Sequence, residues 1–309
     1  MSIWQTKKWQ KMLKKSEQVS DFFEMDGILI EKRKVSLWEY GLFILGIDKN
    51  NLNNNSIKNL ISFCKKEKAL FIQIEFLDYD NISNLKDLKS LFNSREEYRW
   101  FNKWYYKKFI TPYTAVIDLS LPKEDILSHM KPKWRYNIRL AEKKWVNCKI
   151  LEKTDENIKK FYDLVLETTT RDKFFWNSFS YYKTFLQEIN NSELILAYKD
   201  DEVISGWIFI FDKEISIYYY WASSNKYRNL MSPYLLQWTA IKYAKERWSK
   251  LYDFLWVASP NNKSSSLSWV TDFKKKLTND IREVSESYIW INKGFKYRLI
   301  SFLRKIKGI

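Results

Sequence analysis

Histidine occurs once in this chain, at His129, and cysteine twice, at Cys64 and Cys148. A Ser-His-Asp or Cys-His site would have to use His129, which has no orienting neighbour in sequence and reads as a surface residue. Chemistry here must therefore run without imidazole. Two cysteines so far apart supply neither a disulfide framework nor a metal-ligand spacing, so a reducing cytoplasm fits and no metal is expected. No stretch reaches the roughly 20 apolar residues that a bilayer span needs. The opening Met1–Trp9 carries no apolar run behind its positive charges, so no signal peptide is expected either. Glycine is scarce as well: 6 in 309 residues, against an ordinary share of about 7%.

Charge and aromatic bulk are what the chain has. Lys plus Arg number 53 and Asp plus Glu 37, a net charge of +16, which favours nucleic acid, phosphorylated metabolites or an anionic membrane surface as partners. Hydrophobic residues make up 45% and aromatics 18%, ample for a packed core and enough to exclude disorder. The cations concentrate in Met130–Val146, where Lys131, Lys133, Arg135, Arg139, Lys143 and Lys144 surround a modest apolar side formed by Ile138, Leu140 and Ala141. This tract reads as a helix docked by one face and offering the other to something anionic, or simply as a solvated lysine-rich helix.

Fifteen tryptophans stand beside the six glycines, and their placement is odd. Trp145 follows Ala141-Glu-Lys-Lys144, and Trp248 follows Tyr243-Ala-Lys-Glu-Arg247; each sits between a helix end and a strand. The residue after a basic last turn is ordinarily glycine, because it takes a positive φ at little steric cost. We therefore expect glycine in the native protein at Trp38, Trp104, Trp134, Trp145, Trp176, Trp207, Trp221, Trp248, Trp256 and Trp269. Reassignment of the UGA codon to glycine would produce this pattern. Trp9 and Trp238, each on an amphipathic helix, read as authentic core residues.

Periodicity predicts a helix over 2–15, strands at Gly27–Lys32 and Tyr40–Ile47, a helix at Ile57–Lys68, a strand at Ala69–Phe76, a mixed charged stretch at 83–108, a strand at Tyr113–Leu119 and one helix at Lys123–Lys144. The second half reads as a strand at Val146–Glu152, helices at Ile158–Thr170 and Tyr181–Asn190, and strands at Leu194–Tyr198, Val203–Phe211 and Glu214–Ala222. A helix at Ser232–Arg247, a strand at Lys250–Val257 and a basic amphipathic helix from Asn292 to Lys307 follow. Helix, helix, antiparallel meander, helix, strand is the element order of an N-acetyltransferase-like (GNAT-type) domain. The expected fold is α+β with mixed sheets, two such domains in tandem: 1–147 with 288–309 packing back, and 148–287.

With both halves laid out, the chain resembles the FemABX family of bacterial peptidoglycan bridge-forming aminoacyltransferases. The resemblance rests on Lys131–Val146, Tyr218-Tyr-Tyr-Trp-Ala-Ser-Ser224, Met231–Ile241, Tyr252-Asp-Phe-Leu-Trp-Val257 and Asp272-Phe-Lys274, and spans essentially the whole length. Family members typically carry glycine where Trp145, Trp221, Trp248 and Trp256 stand. The resemblance implies transfer from aminoacyl-tRNA to an amine of a UDP-linked or lipid-linked muropeptide, with no cofactor and no metal. It further implies a monomer in the cytoplasm; family comparison favours the basic C-terminal helix packing back onto the first domain, with peripheral contact at the inner face of the membrane as the alternative. By the same resemblance Lys274 stabilises the oxyanion, Phe273 holds it in place, and Asp253 receives the amine proton or orients the acceptor. Lys11, Tyr181 and Tyr220 match substrate-binding positions. Asn177 stands where many relatives have an arginine for the pyrophosphate, a departure that Arg171 would compensate. Lys133, Arg135 and Arg139 are the candidates for tRNA contact.

Two other classes stay open. A coenzyme A-dependent N-acyltransferase would grip pyrophosphate with a glycine-bearing turn at a helix N-terminus, yet the corresponding Asn225–Pro233 contains no glycine. A non-catalytic RNA-binding protein would fit the charge and interleaved aromatics, although no RNP-like motif is present.

Overall fold

The computed structural model describes residues 2–80, 101–172, 176–260, 262, 265 and 267–306. The chain divides into two compact units: Met1–Pro112 with Glu283–Ile309, and Tyr113–Arg282. The expected boundary at 147/148 is therefore corrected to 112/113. The physical reason is strand pairing. β5 (Tyr113–Asp118) lies antiparallel to β10 (Leu251–Asp253), Leu251 opposite Asp118, which binds the whole stretch from Tyr113 onward to the second sheet.

In the first unit, helix α1 (Lys7–Lys15) precedes strands β1 (Asp21–Met25), β2 (Ile28–Lys34) and β3 (Tyr40–Ile47), helix α2 (Asn54–Lys66) and strand β4 (Phe71–Phe76). Strand β12 (Ser287–Ile291) returns from the far end of the chain to give the order β1-β2-β3-β4-β12, with β3 and β4 parallel. Asn53 accepts the Ser56 N–H at 2.9 Å to start α2, as an N-cap asparagine does. Its Ile57, Leu60 and Cys64 then form one buried cluster with Leu42, Ile44, Ile72 and Ile74, each such side chain contributing about 1.5–3 kcal/mol. The C-terminal helix α9 (Gly294–Ile306) docks through Tyr297, whose ring centroid lies 5.7 Å from that of Phe71, and through Lys296 on Glu39 at 2.5 Å.

The second unit holds helices α3 (Lys123–His129) and α4 (Pro132–Lys143), strand β6 (Val146–Leu151), helices α5 (Asp155–Asp172) and α6 (Phe179–Glu188), and the meander β7 (Ser192–Lys199), β8 (Glu202–Ile210) and β9 (Ile215–Ser223). Helix α7 (Ser232–Glu246), β10, helix α8 (Ser268–Lys274) and the edge strand β11 (Ile281–Glu283) complete it. The sheet runs β11-β5-β10-β9-β8-β7-β6, with β9 and β10 parallel. Where one helix over Lys123–Lys144 was expected, two occur, because Met130 and Lys131 turn extended ahead of Pro132; a proline biases its predecessor that way and then suits the first helical position. β10 is shorter than the expected Lys250–Val257, since Leu255 and Trp256 leave the sheet at φ 50 and 35.

Candidate active site

Asp253 ends β10 fully buried, and its carboxylate accepts the Leu255 N–H at 2.7 Å and the Thr114 hydroxyl from β5. These bonds bend the chain after β10 and turn two carbonyls toward α8. Lys274, only 1% exposed, donates to both: its Nζ is 2.6 Å from the Leu255 oxygen and 3.1 Å from the Trp256 oxygen. Thr271, one turn earlier on α8, accepts the Ala258 N–H at 2.8 Å and fixes the same loop to the same helix. Burial holds the Lys274 ammonium down to about 7, against the pull of the Asp253 charge in the other direction. An ammonium has three donors. Two meet carbonyls, and the third has no protein acceptor among the described residues.

Lys274 lines a cavity of about 470 Å³ whose walls include Trp207, Tyr218, Trp221, Trp269 and Phe273, with Arg171 beside them. Arg171 is exposed on α5 and donates to the Ser223 carbonyl at 3.0 Å. Phe273 packs its ring on Trp134 at 4.8 Å, which holds the end of α8 against α4. The cavity thus offers two cations within a mainly aromatic lining. A buried ammonium with a donor unengaged among the described residues suits a carbonyl oxygen gaining negative charge, because a preorganised donor in a low-dielectric wall is worth most where charge develops. Nucleophilic alternatives are poor: burial pushes both Cys64 and Cys148 up to about 12, and His129 is exposed at the end of α3. No group of three or more His, Cys, Asp or Glu side chains able to hold a metal occurs among the described residues.

The structure brings Lys274, Phe273 and Arg171 to one cavity and sets Asp253 behind it, outside the lining. Asp253 was expected to receive the amine proton or orient the acceptor; its carboxylate is bonded to the Leu255 N–H and the Thr114 hydroxyl, within the loop that holds Lys274. Tyr181 and Tyr220 come together elsewhere, both buried, with their hydroxyls 2.7 Å apart. A bulge explains the separation. Ile208 faces Tyr220 and Phe209 faces Tyr218, leaving Tyr219 as the extra residue on β9. Tyr218 and Tyr220 consequently fall on opposite faces, Tyr218 against Trp207 and the cavity, Tyr220 against Tyr182 and Phe185. Asn177 is half-buried ahead of α6 beside the Tyr182 phenol. Lys11 is exposed on α1 of the first unit. Lys133 and Arg139 are exposed on α4, whereas the Arg135 guanidinium binds the Ser128 and Met130 carbonyls at 2.8 and 2.5 Å and so closes the α3–α4 junction. Thr114 and Thr271 were not anticipated. Thr114 is 139 residues from Asp253, and no local signal connects them.

A profile of the FemAB family matches residues 112–200 and 187–305. The chain belongs to the FemAB family. Aminoacyltransferase FemA of Staphylococcus epidermidis is 22% identical over 340 aligned positions, covering 84% of this chain and 81% of FemA. Among solved structures, FemX superposes with a TM-score of 0.79 at 19% identity, over 97% of this chain and 94% of FemX. A tandem GNAT protein from the clavulanic acid biosynthesis pathway gives 0.50 at 9% identity, over 86% of this chain and 78% of that protein. The two mixed α+β units are thus the FemX-like and tandem-GNAT-like fold expected from element order, and this FemAB member is an acyltransferase. No helix among the described residues is long and apolar enough to cross a membrane.

Proposed function

We propose that the protein transfers an amino acid from aminoacyl-tRNA to an amine of a peptidoglycan stem peptide, forming part of an interpeptide bridge. The observation that carries this reading is the buried Lys274 ammonium, with one donor unengaged among the described residues, in the wall of a cavity. A neutral acceptor amine attacks the ester carbonyl; the C–N bond forms, the bond to the tRNA ribose oxygen breaks, and the amine proton goes to that oxygen or to solvent. Lys274 meets the oxyanion in between. Phe273 and the Asp253–Leu255 turn hold Lys274 in position, and Arg171 supplies a second cation for an anionic part of a substrate. The reaction asks for close placement of amine and ester, about 3–3.5 Å apart, and for no cofactor.

Similarity to the aminoacyltransferase FemA supports aminoacyl transfer, and the surplus of cations suits a tRNA donor. Lys133 and Arg139 are the exposed α4 groups proposed for tRNA contact; Lys11, Tyr181, Tyr220 and Asn177 remain proposals for acceptor binding. The test is to incubate the protein with a pool of charged tRNAs and with UDP-linked and lipid-linked muropeptides, then identify products by mass. A muropeptide heavier by one or more aminoacyl residues is expected, together with its loss in Lys274→Ala. Deacylation to free amino acid alone, or transfer undiminished in Lys274→Ala, would overturn the reading.

A further inference from the structure

Helix α9 carries an apolar stripe on the wrong side for its own core. Tyr297 and Arg304 hold its inner face, the Arg304 guanidinium 2.7 Å from the Tyr106 carbonyl. Phe295, Leu299, Phe302, Leu303 and Ile306 are all exposed, Phe295 by 80%. At 3.6 residues per turn these five fall within an arc of about 100°. Lys296, paired with Glu39 at 2.5 Å, borders the arc on one side, and exposed Arg298 and Lys305, the cations left for a lipid surface, border it on the other. The helix contains no Asp or Glu.

We propose that this face of α9 docks on an anionic lipid bilayer, its aromatic and aliphatic side chains entering the headgroup boundary and its flanking cations meeting lipid phosphates. Apolar stripe and cationic border together are the pattern of an interfacial helix. Charge complementarity decides against a second copy of the chain, since apposing two such faces would set Arg298 and Lys305 against their own kind. The surface shares no residue with the lining of the Lys274 cavity, so the proposal stands or falls independently of the transfer reaction.

Flotation of the full chain with phosphatidylcholine vesicles, with and without phosphatidylglycerol, tests it. Two variants are compared: Phe295→Ser with Phe302→Ser, and Arg298→Glu with Lys305→Glu. All four side chains are exposed, and thermal melts check that the fold is kept. The expected result is flotation only with phosphatidylglycerol, reduced at least tenfold in both variants, with transfer to a water-soluble acceptor unchanged. Absence of flotation, equal flotation of the variants, or a concentration-dependent dimer abolished by the Phe variant would overturn it.

A different observation carries a second inference. Three of the ten suspect tryptophans, Trp145, Trp248 and Trp256, have φ of 60, 63 and 35. Trp145 and Trp248 are 80% and 84% exposed. Trp248 occupies the left-handed position of a complete helix-closing motif, with its own N–H on the Lys245 carbonyl at 3.0 Å and Ser249 N–H on Ala244 at 3.1 Å. Trp9, by contrast, is buried on α1 and its Nε1 donates to Glu31 at 3.3 Å. Trp134 and Trp207 are buried with Nε1 unpaired among the described residues, which is unusual for a buried indole. We infer that the source cell inserts glycine at these positions, leaving the cavity beside Lys274 wider where Trp207, Trp221 and Trp269 now wall it. Peptide mass spectrometry of the protein isolated from its source cells is decisive. Glycine at 145, 248 and 256 is the expected result, and tryptophan at those three positions would overturn the inference. Because the readout is mass, it does not depend on activity.

Discussion

Each unit holds a buried ionisable group, Glu75 in the first and Lys274 in the second, by opposite means, and Lys274 lines a cavity. In the first unit Glu75, fully buried on β4, is gripped by donors: the Ile110 N–H at 2.6 Å, the Phe109 N–H at 3.1 Å and the Gln73 amide at 2.6 Å. In the second unit Lys274 is gripped by acceptors, the carbonyls of Leu255 and Trp256. Glu75 has two of its partners, Phe109 and Ile110, on one segment that it pins to the sheet. Lys274 keeps a donor unengaged among the described residues and lines a cavity. A buried charge that is fully bonded serves the fold, whereas one left partly unbonded beside a cavity is a candidate for chemistry.

The largest expected effect lies on the Lys274 side. Lys274→Ala should lower kcat by about 10²–10³, the scale for losing one oxyanion donor, while circular dichroism shows a folded chain. Glu75→Ala should do the reverse. It leaves the buried Phe109 and Ile110 N–H groups unpaired, so the first unit should lose on the order of 3 kcal/mol of stability, seen as a lower denaturant midpoint. Should Glu75→Ala abolish transfer without a stability loss, the division of labour between the units is wrong.

Stability against pH sharpens the contrast. Burial raises Glu75 from its ordinary 4.5 to about 7. Between those values the folded state holds a proton that the unfolded chain releases, so this contribution falls as pH rises. Burial lowers Lys274 from 10.5 to about 7. From about 7 to 10.5 the unfolded chain holds the extra proton, so here stability rises with pH. The two slopes meet in a shallow minimum near pH 7. Lys274→Met should flatten the alkaline side alone, measured by denaturant titration across the range; an unchanged alkaline slope would refute the lowered lysine.

How far sequence anticipated this follows from the range of each interaction. The strand Tyr40–Ile47 and the helix from Ser232 were legible because apolar periodicity is local, and Phe273-Lys274 was legible as a dipeptide. β1 was missed although Asp26-Gly27 marks it: Met25 pairs with Ile28 across a two-residue turn whose φ values are 52 and 75, the signature of a tight hairpin. The α3–α4 break was announced by Pro132. The bulge at Tyr219, which turns Tyr220 away from the cavity, depends on its pairing with β8 and has no local mark. Nor does Thr114 on Asp253, a contact created only when β5 joins β10.

The smallest expected effect concerns helix ends. In the first unit α1 and α2 close on Glu17 and Lys68, at φ 56 and 51; in the second α4 and α7 close on Trp145 and Trp248. All four meet the same clash between Cβ and carbonyl, roughly 1–2 kcal/mol per residue, partly offset in a glycine variant by its greater freedom when unfolded. If the exposed indole of Trp145 contributes nothing, Trp145→Lys should leave stability unchanged and merely copy the Lys68 end of the first unit. Trp145→Gly should then gain about 1 kcal/mol by relieving the backbone. Denaturant midpoints of the two variants separate backbone from side chain: a loss in Trp145→Lys would mean that the ring packs, and equal values for Lys and Gly would mean that the left-handed turn carries no strain.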